Sequence, residues 1–178
     1  LGIPAEPLFR SHGGDVYPTH GFGPCCQALN IHRGDKMEYL VSMATKSVNG
    51  LKIAKKKMGV DEFACGDHIV TLVMTKSGKS MEIQHNVFTP RPYNRLYQLT
   101  GTEGFANKYP VSGLTLRNSQ IDRNALPDIP QLDEHDFVPN DVKNELLQYY
   151  KHPIHQEIEE KAKQVGGHGG MDFVMDYR

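Results

Sequence analysis

The stretch GGDVYPTHGFGP, residues 13–24, places the tightest constraint on how this chain folds. Its glycines allow backbone angles that other residues avoid, while its two prolines fix φ and each remove a backbone N–H. Such a mixture favours neither an unbroken helix nor a strand. Because proline is well accepted in a first helical turn, we predict a loop followed by a helix that begins near Pro18 and resumes after Pro24 as a short buried segment over residues 25–31.

Two side chains in this stretch are suited to proton transfer. Tyr17 and His20 lie three positions apart and therefore share one face of a helical turn. A phenol and an imidazole beside a glycine-lined surface have the chemistry to exchange protons with a small ligand. The alternative is structural, because short Tyr-x-x-His patterns also occur where the two rings only pack or tether the backbone.

Residues 15–24, DVYPTHGFGP, resemble the Tyr-Pro-Thr-His-Gly-x-Gly-Pro signature of the NAD-dependent α-N-acetylgalactosaminidases. These enzymes are glycoside hydrolases within the Gfo/Idh/MocA oxidoreductase superfamily. Further stretches resemble the same family in the same order: YLVSM at residues 39–43, TPRPYNR at 89–95 and GGHGGMDF at 166–173. Several motifs in order over most of the chain are far more specific than any one of them.

The resemblance implies a redox-neutral route to glycoside cleavage, which differs from hydrolysis by a pair of carboxylates. NAD takes hydride from C3 of the sugar, and the resulting ketone acidifies the proton on C2. A base removes that proton, the anomeric substituent leaves by elimination, water adds, and the reduced cofactor returns hydride to C3. The protein orients the substrate, moves protons and excludes water, while NAD is regenerated in each cycle.

The resemblance also implies catalytic residues. His20 is expected to be the general base near the nicotinamide and the C3 hydroxyl, since imidazole exchanges protons near neutral pH. Tyr17 is expected to be its proton partner or a ligand of a sugar hydroxyl. A phenol needs a neighbouring cation or histidine to act as a base. Structural roles, as a core histidine and a tethering tyrosine, stay open as alternatives.

Two further segments are predicted to bind the substrate. Tyr93 lies in PRPYNR, where prolines stiffen the backbone, and is expected to face the sugar together with Arg91. The alternatives are a plain turn for the tyrosine and surface ion pairs for the arginines. His168 is flanked by glycines that permit close approach of a ligand, and Asp172, four residues later, is expected to pair with it. A helix start without a ligand is the alternative for this segment.

The overall pattern predicts one α+β domain over residues 1–178, in which a largely antiparallel open sheet carries helices on one face. Its parts are a site loop and helix at residues 11–31, the sheet at 37–117, an acidic surface loop at 118–139, and C-terminal helices at 140–178. Alternating apolar residues predict strands at 37–44, 68–75 and 80–88, a hairpin turn at 76–79, and shorter strands at 95–100, 105–109 and 114–116.

Three helices are predicted outside the site. The run at residues 51–58 carries four lysines, which are typical of a solvated helix face, with phosphate binding as the alternative. Asn140 is a predicted N-cap for a helix over residues 141–151. Pro153 is predicted to start the next helix, which ends near residue 165.

Charge and composition argue against two classes of partner. With 20 basic and 21 acidic residues, the formal net charge of −1 does not favour nucleic acid or an anionic membrane surface. No apolar run approaches the roughly 20 residues needed to span a bilayer. The three cysteines fit small core residues better than a disulfide framework or a zinc site, and no metal is expected. The compartment stays open between the cytoplasm and export.

The leading prediction is the substrate-binding domain of an NAD-dependent glycosidase that acts on α-N-acetylgalactosaminides or related amino-sugar glycosides. The chain lacks the Gly-x-Gly-x-x-Gly fingerprint, so NAD is expected to be bound mainly by a separate N-terminal Rossmann domain, and this chain alone is expected to be inactive. One alternative is a sugar dehydrogenase of the same superfamily. Another is a non-catalytic sugar-binding or dimerisation module that forms a homo-oligomer through its sheet.

Overall fold

The structure, a computed structural model, describes residues 10–165. Its contacts divide the chain into two compact units, Leu1–Arg95 and Leu96–Arg178. Each unit has its own small antiparallel sheet, so the predicted α+β class and the antiparallel strand arrangement are confirmed, with the strands shared between two sheets. The division into one domain over residues 1–178 stays a prediction.

The first unit contains two helices and a three-stranded sheet. Its elements are α1 (Thr19–Ala28), β1 (Met37–Ala44), α2 (Asn49–Met58), β2 (Ile69–Thr75) and β3 (Ser80–His85). The strands lie in the order β1-β2-β3, and both neighbouring pairs are antiparallel. The predicted hairpin is confirmed, since Thr75 N–H donates to the carbonyl of Lys79 at 2.8 Å and Gly78 adopts a φ of 84° in the turn.

β3 ends three residues earlier than the alternation predicts, at His85 rather than at residue 88. The side chain of Asn86 ends it, because its Oδ1 accepts the hydroxyl of Thr89 at 2.6 Å and so turns the chain away from the sheet. β1, by contrast, has the predicted bounds.

One face of this sheet supplies the core of the first unit. Ile69 and Val73 on β2 and Met81 and Ile83 on β3 are buried, as alternation along paired strands requires. α1 packs against β3, where a Cβ at Gly21 would lie 3.4 Å from Cγ2 of Ile83. β1 lies at the edge of the sheet, and every one of its residues is exposed.

α1 differs from the interrupted, buried helix that the sequence predicts. It is continuous from Thr19 through Ala28, with Pro18 as its N-cap and Pro24 inside it. Pro24 is the sixth of its ten residues, so the helix lacks the hydrogen bond that an N–H at this position would donate to the carbonyl of His20. None of its residues is buried, because only one side of it rests on β3.

α2 receives its N-terminal cap from a distant residue. The carboxylate of Asp67 accepts the backbone N–H groups of Val48 at 3.2 Å and of Asn49 and Gly50 at 2.8 Å each. Burial by itself would raise the pKa of Asp67. The hydrogen bonds from these N–H groups have the larger combined effect, and the pKa lies below its ordinary value. The lysines of α2 are exposed, as predicted for a solvated face: Lys52, Lys55, Lys56 and Lys57.

The second unit begins with short strands and ends with helices. Its elements are β4 (Gln98–Thr100), β5 (Gly104–Asn107), β6 (Gly113–Leu116), a 3-10 turn (Asn118–Gln120), α3 (Asn140–Tyr149) and α4 (Pro153–Val165). The strands pair in chain order, β4-β5-β6. α4 has the predicted start, whereas Asn140 is the first residue of α3 rather than its cap, and Pro139 precedes it without a side-chain cap.

The acidic segment at residues 118–139 is not the surface loop that the sequence predicts. It contributes most of the core of the second unit, through Ile121, Leu126, Ile129, Leu132 and Val138. Its backbone is satisfied by side chains: Asn118 donates to the carbonyl of Leu132 at 2.8 Å and accepts its N–H at 2.8 Å, and Arg123 donates to the carbonyl of Ile129. These hydrogen bonds allow an irregular segment to be buried although its backbone does not form the regular hydrogen bonds of a helix or a sheet.

Candidate functional site

A short loop ahead of α1 is shaped by two local features. Gly14 has a φ of 99°, a conformation that glycine adopts without strain. The carboxylate of Asp15 then accepts the backbone N–H of Tyr17 at 3.1 Å, which forms an Asx turn. Pro18 follows as the N-cap of α1. The loop therefore places Tyr17 directly ahead of the helix and His20 in its first turn.

The structure brings Tyr17 and His20 together, as their spacing predicts. Their ring centroids are 5.5 Å apart and the rings meet edge to face at 81°. Tyr17 is 37% exposed and His20 is also exposed, so both side chains can be reached from solvent. An accessible phenol beside an imidazole can accept, donate or relay a proton at one position on a ligand.

The structure adds two residues that sequence reasoning did not select. Nδ1 of His85, the last residue of β3, lies 3.4 Å from Oδ1 of Asp15. These side chains are only 14% and 9% exposed, respectively. The available signals were weak: His85 breaks the alternation of its strand, and Asp15 lies two residues before Tyr17. Neither signal shows that the two residues meet.

The cysteines near the site are not suited to nucleophilic chemistry. Cys65 is fully buried, and its Sγ lies 3.8 Å from the carbonyl oxygen of Gly14. Burial raises the pKa of its thiol, and the charges of Asp15 and Asp67 raise it further. Burial also raises the pKa of Cys25, so these thiols stay protonated at neutral pH.

The predicted sugar-binding residues in PRPYNR lie in an irregular segment between β3 and β4. Tyr93 is 72% exposed, and the guanidinium of Arg95 stacks over its ring at 5.5 Å from the centroid. Arg91 is also exposed. The role of Tyr93 and Arg91 in binding a sugar stays a prediction. His168 and Asp172 lie outside the described residues.

Between residues 10 and 165, no group of three or more histidine, cysteine or carboxylate side chains is arranged to hold a metal ion. Across the same range, no helix has both the length and the apolar character needed to cross a membrane.

The fold and the site together define a class of protein: an α+β domain that offers an exposed Tyr–His pair at a helix start. The family model described as glycosyl hydrolase 109, C-terminal domain, matches residues 8–178. The chain therefore belongs to this family, and the match confirms the family to which the sequence motifs point.

Relatives with high identity carry the same family name. Glycosyl hydrolase family 109 protein 1 of Phocaeicola vulgatus is 56% identical over 171 residues, which are 95% of this chain and 36% of the relative. Its counterpart in Bacteroides thetaiotaomicron is 56% identical over 95% of this chain and 37% of the relative. The glycosyl hydrolase family 109 protein of Porphyromonas gingivalis is 55% identical over 95% and 36%. The chain thus spans little more than a third of the length of these relatives.

Proposed function

We propose that this chain is the substrate-facing C-terminal domain of an NAD-dependent glycoside hydrolase that cleaves α-N-acetylgalactosaminides. The observation that carries the proposal is the exposed edge-to-face pair of Tyr17 and His20 at the start of α1, in a chain of this family. The relatives' printed name, glycosyl hydrolase, supports the reaction class. The term full-length protein denotes this chain together with the remaining length that its relatives have.

The Gly-x-Gly at residues 21–23 is not arranged to hold a dinucleotide. Gly21 and Gly23 lie inside α1, and Gly21 packs against Ile83, so this Gly-x-Gly does not form a turn whose amides cradle a pyrophosphate. We expect a Rossmann domain of the full-length protein to hold the nucleotide. When bound, NAD supplies a hydride acceptor and donor at one carbon of the sugar.

The residues of this chain move protons and hold the sugar. His20 takes a proton from the substrate, because an imidazole changes protonation near neutral pH. Tyr17 binds the adjacent hydroxyl or passes the proton on, with His20 as the neighbouring group that a phenol needs for this role. Tyr93, Arg91, His168 and Asp172 are expected to bind the sugar.

The reaction class is tested with the full-length protein and p-nitrophenyl α-N-acetylgalactosaminide. We expect steady release of nitrophenol without accumulation of reduced nicotinamide, because the cofactor is oxidised and reduced in each cycle. Reduced nicotinamide formed from a free sugar, without nitrophenol release, would instead identify a sugar dehydrogenase. Sugar binding without either product would identify a non-catalytic module.

The role of His20 is tested by His20→Ala in the same assay. We expect turnover to fall roughly 10²–10⁴-fold, the usual contribution of a general base, with the melting temperature nearly unchanged. The matched control is His135→Ala, which removes an exposed imidazole from the second unit and should leave turnover unchanged. Near-wild-type turnover of His20→Ala would remove His20 from this role.

A further inference from the structure

We propose that Asp15 and His85 are positioning residues, which hold the site loop on the end of β3 so that Tyr17 and His20 keep their shared orientation. This inference deepens the proposed function and rests on it for the identity of the reacting pair. The positioning itself can be measured whatever reaction the full-length protein catalyses.

The carboxylate of Asp15 connects the site loop to the sheet. Oδ1 of Asp15 accepts the backbone N–H of Tyr17 at 3.1 Å and lies 3.4 Å from Nδ1 of His85. One carboxylate oxygen therefore joins the backbone of the proton-transferring tyrosine to a strand of the sheet. The loop begins at Gly14, which adopts a φ of 99°. Because glycine restricts the backbone least of all residues, the contacts of Asp15 are what fix the position of the loop.

Asp15 and His85 are more buried than the pair that they support. The side chains of Asp15 and His85 are 9% and 14% exposed, whereas Tyr17 is 37% exposed and His20 is also exposed. A carboxylate removed from water is costly unless it is hydrogen-bonded, so the contacts of Asp15 resist separation of the loop from β3. A ligand can reach the exposed Tyr17 and His20, while the more buried Asp15 and His85 hold their loop on the sheet.

The titratable groups next to Asp15 do not compete with His85 for its carboxylate. Cys65 faces Asp15 from the segment before β2, and its raised pKa keeps it uncharged at neutral pH. Asp67, which also acts on Cys65, is committed to the N–H groups at the start of α2. Nδ1 of His85, 3.4 Å from Oδ1 of Asp15, can therefore act as the partner of this carboxylate from β3 whenever it carries a proton.

The inference is tested by a His85 series in the full-length protein. His85→Ala removes the donor, and we expect kcat to fall about 10- to 100-fold with a smaller change in KM, as for a misplaced catalytic group. His85→Asn places an amide N–H near the position of Nδ1, and we expect it to restore most of the lost kcat. The control is His68→Ala, which removes a half-buried imidazole at the same end of the sheet whose partner is Asn86. It should leave kcat unchanged.

A double variant tests whether the two residues act as one unit. If His85 acts only through Asp15, then Asp15→Ala/His85→Ala lowers kcat no further than Asp15→Ala alone, because the carboxylate that His85 contacts is already absent. Multiplied losses in the double variant would contradict a shared role.

An activity-independent readout separates this inference from the proposed function. The ring-current shift of the His20 Cε1–H resonance reports the edge-to-face contact with Tyr17. It is measured in histidine-labelled protein and calibrated by Tyr17→Leu. We expect His85→Ala to move this resonance toward its position in Tyr17→Leu, and His85→Asn to return it. Wild-type kcat and an unmoved resonance in a folded His85→Ala variant would overturn the inference. Absence of nitrophenol release by the wild type would overturn the proposed function alone.

Discussion

At the scale of single residues, two glycines differ sharply in how much room their surroundings leave for a side chain. Gly66 lies between Cys65 and Asp67, where the chain passes the end of β1. A Cβ there would collide with the carbonyl oxygen of Thr45 and lie 3.1 Å from its backbone nitrogen. Gly23, inside α1, has no atom within 4 Å of an added Cβ.

We therefore expect Gly66→Ala to lower the free energy of unfolding by about 1–3 kcal/mol, because backbone atoms must move to make room. Urea unfolding followed by circular dichroism measures this change. The matched control is Gly23→Ala, which we expect to raise the free energy of unfolding by about 0.5–1 kcal/mol, as for alanine in an open helical position. Equal stability of the two variants would contradict the close packing at Gly66.

At the scale of elements, buried carboxylates fasten the ends of helices and turns. Asp67 caps α2 from the segment before β2. Asp35 joins the segment before β1 to the hairpin turn. It accepts the N–H groups of Lys36 at 2.8 Å and Ser77 at 3.1 Å, as well as the hydroxyl of Ser77, and its Oδ2 lies 3.4 Å from Nζ of Lys79. Neither attachment follows from the local pattern of its element.

Loss of the cap on α2 should destabilise the protein. We expect Asp67→Ala to lower the free energy of unfolding by about 1–2 kcal/mol, since three N–H groups at the helix start lose their acceptor. Asp61→Ala is the control: it breaks an exposed ion pair with Lys55 in the same unit and should change stability little. Chemical denaturation of both variants under one set of conditions provides the comparison, and equal losses would argue against capping.

Asp35 should make the free energy of unfolding depend on pH in the acidic range. The hydroxyl of Ser77 is the main reason that the pKa of Asp35 lies well below its ordinary value, despite the opposing effect of burial. A lowered folded-state pKa means that the carboxylate stabilises the fold above the ordinary aspartate range, near pH 4, and that this contribution is lost as the pH falls further. We expect Asp35→Asn to be less stable than wild type at pH 7 and to lose less stability on acidification. If the melting temperatures of wild type and Asp35→Asn differed by the same amount at pH 7 and below pH 4, this assignment would be contradicted.

At the scale of the whole molecule, one face of the first sheet is apolar and open. Tyr39, Val41 and Met43 alternate along β1 and are 60%, 58% and 67% exposed, and Leu72, the register partner of Val41, is 53% exposed. Residues two apart on a strand, and direct cross-strand partners, share a face. β1 is also an edge strand of the sheet, and an exposed apolar edge strand favours pairing with another chain. We propose that this sheet pairs two copies of the protein.

Association is tested by Met43→Lys in the full-length protein. We expect sedimentation equilibrium to show a weaker dimer, because a charge in the centre of an apolar contact loses its hydration. Leu147→Lys, which changes an exposed leucine on α3 in the second unit, should leave association unchanged. A monomeric wild type, or equal association of both variants, would argue against pairing through β1.

Local pattern was sufficient for several elements. β1 has its predicted bounds, the hairpin at residues 76–79 turns where its serine and glycine indicate, and α4 begins at Pro153. Tyr17 and His20 also contact each other across three positions, although Tyr17 lies in the loop ahead of α1 rather than in a helical turn. In each case the determining interactions join residues that are close in sequence.

The sequence by itself therefore determined the α+β class, most of the helices and strands, the family and the proximity of Tyr17 and His20. The tertiary structure alone decided that residues 118–139 form a core, that Asp67 caps α2, and that Asp15 meets His85. These contacts join residues far apart in sequence. They depend on how the chain is routed, and no periodicity or local propensity encodes that path. The contact between Asp15 and His85 is thus a property of the fold, while the contact between Tyr17 and His20 joins residues of one short stretch.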